Sequence, residues 1–320
     1  MLDFTPATCP TMHFIGVTTG ASSIMRVFPR WAWALGLDDA AIQGFDLPLH
    51  APAEQYRAVV DFIKNDPLSL GALVTTHKLD LFNACRDQFD FADPYAEKLH
   101  EVSSLSKRGG VLRAHAKDPI SSGLALEHFV PADFWKDHGG EALLLGAGGS
   151  ALAMSLYLTQ EKFGDNVPRR ITLVNRTLPR LESAKRILDG LNPRVEFVYR
   201  HQSNPADNDA LIARLPRHSL VVNATGLGKD APGSPTSGAV SYPEHSLVWE
   251  INYRGDLLFM HQAQAQAKKC NLHVEDGWVY FIHGWTQVIA EVFDVRIEGE
   301  TLRRMSDIAM DAMKGIGGGA

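Results

Sequence analysis

Residues 141–177 constrain this chain more than any other stretch. The apolar run EALLL feeds Gly146-Ala147-Gly148-Gly149-Ser150-Ala151, and ITLVNRT closes the segment at residues 171–177. A hydrophobic strand, a Gly-rich turn and a helix in that order hold a pyrophosphate in a βαβ dinucleotide unit. Gly146 permits the tight turn, Gly148 lets the backbone approach the ligand, and Ala151 allows close helix–strand packing. The N–H groups of Gly149 and Ser150 at the helix start then face the phosphates. The second strand is predicted to end near Val174, where NAD-binding units usually carry an acidic residue for the ribose 2′-hydroxyl. Here Asn175-Arg176-Thr177 stand instead. A guanidinium suits a 2′-phosphate, because it is permanently charged and donates two parallel hydrogen bonds. The segment points to NADP.

A chain of 320 residues is long enough for two domains, each with its own core. The apolar share of 45% and charged share of 21% are those of an ordinary soluble globular protein. A net charge of −6, with no dense Lys or Arg run, argues against a nucleic-acid partner. Cys9, Cys85 and Cys270 are far apart and lack CxxC spacing. That argues against a disulfide framework or zinc site and fits a reducing cytosol. The N-terminus lacks the basic-then-apolar pattern of a signal peptide, and no apolar stretch is long enough for a bilayer. The expectation is a cytoplasmic protein without metal or membrane partner, monomeric or homodimeric, acting on a small molecule.

Strand and helix signals alternate from the start, which predicts an α/β layer with parallel strands. Strands are expected at 12–17, 44–48 and 70–75, with helices at 24–36 and 53–64. In the second helix Tyr56, Val59, Val60 and Ile63 share one face. A domain boundary falls near 120–140. The expected division is a catalytic domain over 1–122, completed by about 279–320, and a Rossmann domain over 123–278. Within the latter, a helix at 179–189 has Pro179 early and Gly190 at its stop. Further strands are expected at 195–199, 220–224 and 247–251, and helices at 257–268, 279–294 and 301–314. In the last helix Leu302, Met305, Ala309 and Ala312, with Ile308 beside them, read as core packing. The terminal GIGGGA is expected to be a mobile tail.

Reducing a ketone needs a proton donor within hydrogen-bond reach of its oxygen. GALVTTHKLDLF offers His77 and Lys78 directly after a strand, and HAKDPISSG offers Lys117 and Asp118 ahead of a helix. Asp118 reads equally as a helix N-cap or a residue locked by Pro119.

In this order the segments resemble the shikimate/quinate dehydrogenase family. GALVTTHK is similar to that family's GANVTxPxK, EVSSL to its GAVNTL, and AHAKDPISSGLAL to its NTDxxGxxxxL. GAGGSA and NRT resemble its NADP loop and phosphate clamp, VVNATGLG its NATxxGM, and EINYRGDLL its DxxYxPxxT region. DGWVYFIHGWTQ falls on the family's late Gln-bearing helix. The resemblance implies a catalytic Lys78–Asp118 pair, with the lysine handling the proton and the aspartate orienting it. It also implies cofactor contacts at Arg180, Asn223, Ala224, Thr225 and Gly277, besides the loop and Asn175–Thr177. Substrate contacts are implied at Ser22, Thr75, Ser103, Tyr253 and Gln287. Tyr253 reads as readily as a half-buried core residue.

Departures from the pattern gather on the substrate side. Of the family's Ser-x-Ser only Ser22 fits clearly, with Thr18, Thr19 and Ser23 as possible substitutes. The two family asparagines become Ser103 and Ala116, the proline before the lysine is missing, and the late glutamine falls on Gly284, a turn before Gln287. A site built for hydroxyls discriminates through such contacts. The expected substrate is therefore a polyhydroxylated cyclic acid or cyclitol, with shikimate itself as the alternative and a non-catalytic NADP sensor as the remaining one. Arg26, His115, Lys117 and His283 are candidates to replace the lost groups, although His283 reads equally as a satisfied packing residue.

Overall fold

The computed structural model describes residues 4–229 and 231–314; the GIGGGA end lies outside the described residues. The chain divides into two compact units, residues 1–117 with 284–320, and residues 118–283.

The first unit runs β1 (Thr11–Gly16), α1 (Ile24–Ala34), β2 (Ala41–Asp46), α2 (Ala53–Asn65), β3 (Ser69–Val74), α3 (Lys78–Cys85), β4 (Phe91–Ala92), α4 (Pro94–Leu99), β5 (Ser104–Arg108) and β6 (Val111–His115). Its sheet has the order β2-β1-β3-β5-β6-β4. β1, β2 and β3 are parallel, as the alternating signals require, and every β1 residue is buried. β4 also pairs parallel with β6, whereas β5 runs antiparallel to both β3 and β6. Gly109 and Gly110, at φ +57° and +77°, supply the two-residue turn of that hairpin. The expected face of α2 is the buried one: Tyr56, Val59, Val60 and Ile63 are each at most 1% exposed. β2 starts at Ala41 rather than Gly44, because Gly44 lies inside the strand where Thr19 crosses it. A Cβ on Gly44 would stand 1.9 Å from Thr19 Oγ1.

The second unit runs α5 (Asp118–Phe129), α6 (Phe134–His138), β7 (Ala142–Leu145), α7 (Gly149–Leu158), β8 (Arg170–Asn175), α8 (Leu178–Leu188), β9 (Glu196–His201), α9 (Pro205–Ile212), β10 (Leu220–Asn223), β11 (Leu247–Glu250), α10 (Leu258–Cys270) and β12 (His273–Glu275). All six strands are parallel, in the order β12-β11-β10-β7-β8-β9. This is the doubly wound arrangement, whose strand order reverses between β7 and β10 and opens a crevice at their carboxyl ends. Leu143, Leu145, Val221, Val248 and Phe259 form part of its core. A short β12, unanticipated in the sequence, closes one edge.

The chain continues through α11 (Trp278–Phe293) into α12 (Gly299–Lys314). From Gly284 onward it belongs to the first unit. There Met305 and Ala309 of the apolar stripe are fully buried, and the Trp31 indole of α1 donates 2.7 Å to the Met305 carbonyl. Among the described residues, no helix is long and apolar enough to cross a membrane.

Candidate functional site

In the second unit, the Gly-rich turn sits at the switch point between β7 and β10. Gly146 has φ +127°, and a Cβ there would meet the Ala224 carbonyl at 2.5 Å. Its N–H donates to Val174 O, and the Ala224 N–H to Leu145 O, each at 2.8 Å. Three strand ends are thereby laced together by one turn that only glycine fits. A Cβ on Gly148 would point into open space. No side chain caps α7, so its first N–H groups are left for a ligand, with the positive end of the helix dipole behind them. Ala151 is fully buried beneath.

A pocket of about 350 Å³ opens over this turn, lined among others by Gly146, Gly148, Asn175, Arg176, Ala224 and Thr225. Its rim is the Asn-Arg-Thr turn after β8. Asn175 Nδ2 donates 2.8 Å to Thr177 Oγ1, fixing the turn and leaving Arg176 exposed, with exposed Arg180 on the first turn of α8. Arg169 and Arg170, by contrast, are committed to Glu141, and Arg170 also to Glu196. Glycine cradle, uncapped helix and uncommitted guanidinium fit a phosphorylated dinucleotide.

At the far end of the crevice a buried network supports the loop after β10. Asn223 Oδ1 accepts from the Thr225 N–H at 3.1 Å and from its hydroxyl at 2.6 Å. Asn223 Nδ2 donates 2.6 Å to Glu250, whose other oxygen accepts from the N–H and Nδ2 of Asn252. Gly277 is tied in through its N–H to Asn252 O, and a Cβ there would reach Ile251 O at 2.1 Å. Burial pushes the Glu250 carboxyl up to about 7. Glu250 and Asn252 were missed as site residues, although the charge ending the apolar strand LVWE is their visible signal. Tyr253 is half-buried, with its ring 4.4 Å from that of Phe281. Asp118 is the first residue of α5 and is buried, its carbonyl accepting from Ser122 Oγ at 2.7 Å. His283 is also buried, and burial holds its imidazole down to about 4.

In the first unit, Ser22 follows the carboxyl end of β1, and Thr75 and Lys78 follow that of β3. Lys78 opens α3, and Thr75, at the end of β3, donates its N–H to Ile15 O at 3.0 Å. Ser22 is half-buried, whereas Thr19 is buried and gives both its N–H and hydroxyl to Asp46 Oδ1, at 2.7 and 2.6 Å. Ser103 is likewise committed: its hydroxyl accepts from Lys117 N at 2.7 Å and faces His115 O at 3.4 Å. Lys117 Nζ pairs with Glu291 at 2.7 Å, and His115 lies between Glu291 and Asp93 at 3.4 and 3.5 Å. These two candidates are thus internal ion partners. Gln287 is half-buried on α11, and a Cβ on Gly284 would meet nothing within 4 Å. Among the described residues, no group of three or more His, Cys, Asp and Glu is placed to hold a metal.

No family model matches the chain. It is 27% identical over 212 residues to the shikimate dehydrogenase (NADP(+)) of Symbiobacterium thermophilum, covering 66% of this chain and 65% of that protein. That match spans just under two-thirds of the relative's length. The enzyme of the same name from Bartonella tribocorum is 26% identical over 279 residues, 86% of this chain and 85% of the relative. The chain is thus similar in sequence to shikimate dehydrogenases over about two-thirds or more of its length. Among solved structures, quinate dehydrogenase from Corynebacterium glutamicum in complex with NAD superposes with a TM-score of 0.73 at 18% identity, covering 95% of this chain and 99% of that one. The 5-ketofructose reductase of a Gluconobacter strain gives 0.68 at 17%, covering 96% and 99%. At such identities the structural likeness speaks for the fold alone.

Proposed function

We propose that the chain is an NADP-dependent oxidoreductase that interconverts a secondary alcohol and a ketone on a small polyhydroxylated cyclic acid or cyclitol. The observation that carries this reading is the pocket over Gly146 with Arg176 at its rim. The two shikimate dehydrogenases named above are NADP(+) enzymes by name, and the residues here suit that cofactor. Gly148, Gly149 and Ser150 present N–H groups to the pyrophosphate, while Arg176, with Asn175, Thr177 and Arg180, takes the 2′-phosphate. Ala224, Thr225 and Gly277 shape the nicotinamide end. When bound, the cofactor supplies or accepts the hydride.

The chain's own task is the proton. Lys78 carries it to the carbonyl oxygen in reduction and removes it in oxidation, with Asp118 as the family's accompanying carboxylate. Ser22, Thr75, Ser103, Tyr253 and Gln287 remain the proposed substrate contacts. Of these, Ser103 acts by holding the backbone after β6 through the Lys117 N–H. Thr19 and Ser103 are occupied within the chain, Ala116 has no polar group, and Gly284 leaves space. Several partners of shikimate's hydroxyls are therefore missing, which favours another ring polyol. On the same reading the protein acts in the cytoplasm, as a monomer or homodimer, and the three free thiols suit that compartment.

Steady-state assays with NADP and shikimate, quinate or myo-inositol test the proposal. It expects turnover of a ring polyol, with shikimate a poor substrate. Robust shikimate turnover would remove the altered-pocket argument, and absence of NADP binding would remove the whole reading.

A further inference from the structure

Lys78 is preceded by the most unusual backbone in the first unit. Thr76 lies at φ +62°, a left-handed conformation that a β-branched residue adopts only against steric resistance. The His77 N–H turns back onto the Thr75 carbonyl, closing a three-residue turn around Thr76. Such strain persists where the surroundings over-determine it.

The residue that holds this turn is His77. It is 1% exposed, and its Nδ1 lies 3.0 Å from the Tyr56 hydroxyl on α2. Tyr56 is itself 1% exposed. The other ring nitrogen, Nε2, is buried as well. Burial lowers the ring's affinity for a second proton, against the backbone of Gly16 and Leu47 and nearby Asp80, and His50 acts in the same direction as burial. A strained threonine beside a buried imidazole–phenol pair is a costly arrangement.

We infer that the buried Tyr56–His77 pair is a positioning device that holds the Thr76 turn and so sets the direction from which Lys78 leaves α3. The inference rests on the role proposed above for Lys78. Tyr56 and His77 are positioning residues, not catalytic ones.

Three variants test it: Tyr56→Phe, which keeps the ring; His77→Asn, which keeps an acceptor near the Nδ1 position; and Thr76→Gly, which relaxes the backbone. The expected result is a loss of kcat of roughly 10- to 100-fold for Tyr56→Phe, with KM little changed and partial retention in His77→Asn. Thr76→Gly is expected to lose kcat while its Tm rises by roughly 3 °C, a split that a merely structural role does not produce. Activity is read with NADP and shikimate or quinate. Lysine acylation followed by peptide mass spectrometry gives a readout independent of turnover. The labelling rate of Lys78 should change several-fold in Tyr56→Phe and Thr76→Gly, with Lys64 and Lys107 unaffected. If wild-type enzyme turns over neither compound, kcat is read with myo-inositol; if it turns over none of the three, the substrate reading falls and the labelling still decides this one. An unchanged Lys78 rate in both variants would overturn the inference.

Discussion

At the end of β7 the chain turns on a glycine, and at the end of β3 it turns on a threonine. Both residues have positive φ, +127° at Gly146 and +62° at Thr76. Around Gly146 each local choice agrees with the fold: the turn has no Cβ to clash, its N–H is bonded, and the helix beyond is uncapped for a ligand. Around Thr76 the choices conflict, with a β-branched side chain where glycine is easiest. A binding loop of the first kind is generic and can be shared by many enzymes. In a loop of the second kind the strain persists because the surroundings over-determine it.

The largest expected effect separates the two regions by activity. Lys78→Ala should lower kcat by about 10²- to 10⁴-fold, the usual worth of a positioned proton donor, while leaving the NADP Kd unchanged in calorimetry. An equal loss of cofactor affinity would show that the two regions are not distinct in role. Gly146→Ala attacks the other corner. The added methyl meets the Ala224 carbonyl and demands a backbone that L-residues avoid, so a loss of several kcal/mol in chemical denaturation is expected, with NADP binding abolished. A stable, NADP-binding Gly146→Ala protein would break the account of that turn.

Acid should distinguish the units next. Burial holds His13 of the first unit down to about 4, against an ordinary value of 6.5. The unfolded chain therefore takes up that proton first, and stability drains away as pH falls from 6.5 towards 4, by on the order of 3 kcal/mol. In the second unit His283, also near 4, loses a similar amount over the same window. Glu250 acts in the opposite sense. Its carboxyl sits near 7, so its contribution is complete below the ordinary 4.5 and lost as pH rises towards 7. The two shifts nearly cancel in the second unit and nothing offsets His13 among the groups named in the first. Hydrogen exchange at pH 4.5 and 7 should show the first unit loosening in acid by more than the second. His13→Phe should flatten that difference, and equal loosening of both units would contradict the assignment.

The cofactor side was far more legible in the sequence than the substrate side, for a physical reason. The Gly146 turn, the Ala151 packing position and the Asn175–Thr177 rim depend on residues adjacent in the chain, and local chemistry dictates them. Tyr56 and His77 meet only because α2 packs on the β3–α3 loop. Thr19 is consumed by Asp46 only because β1 and β2 are neighbours. The β5–β6 hairpin escaped notice because SLSKRGGVLRAH carries Lys107, Arg108 and Arg113 through its strands and reads as a loop. Lys117 and His115 looked available for a ligand until Glu291 arrived from α11, far away in the chain. Residues whose role is set by distant partners give no local signal.

The central claim is that the second unit is built for NADP through Arg176. Calorimetric titration of the wild-type protein and Arg176→Ala with NADP and with NAD tests it most directly. NADP is expected to bind more tightly than NAD to the wild-type protein, and Arg176→Ala to weaken NADP by roughly 10- to 100-fold while leaving NAD nearly unchanged. Equal weakening of both nucleotides, or no preference in the wild-type protein, would contradict it.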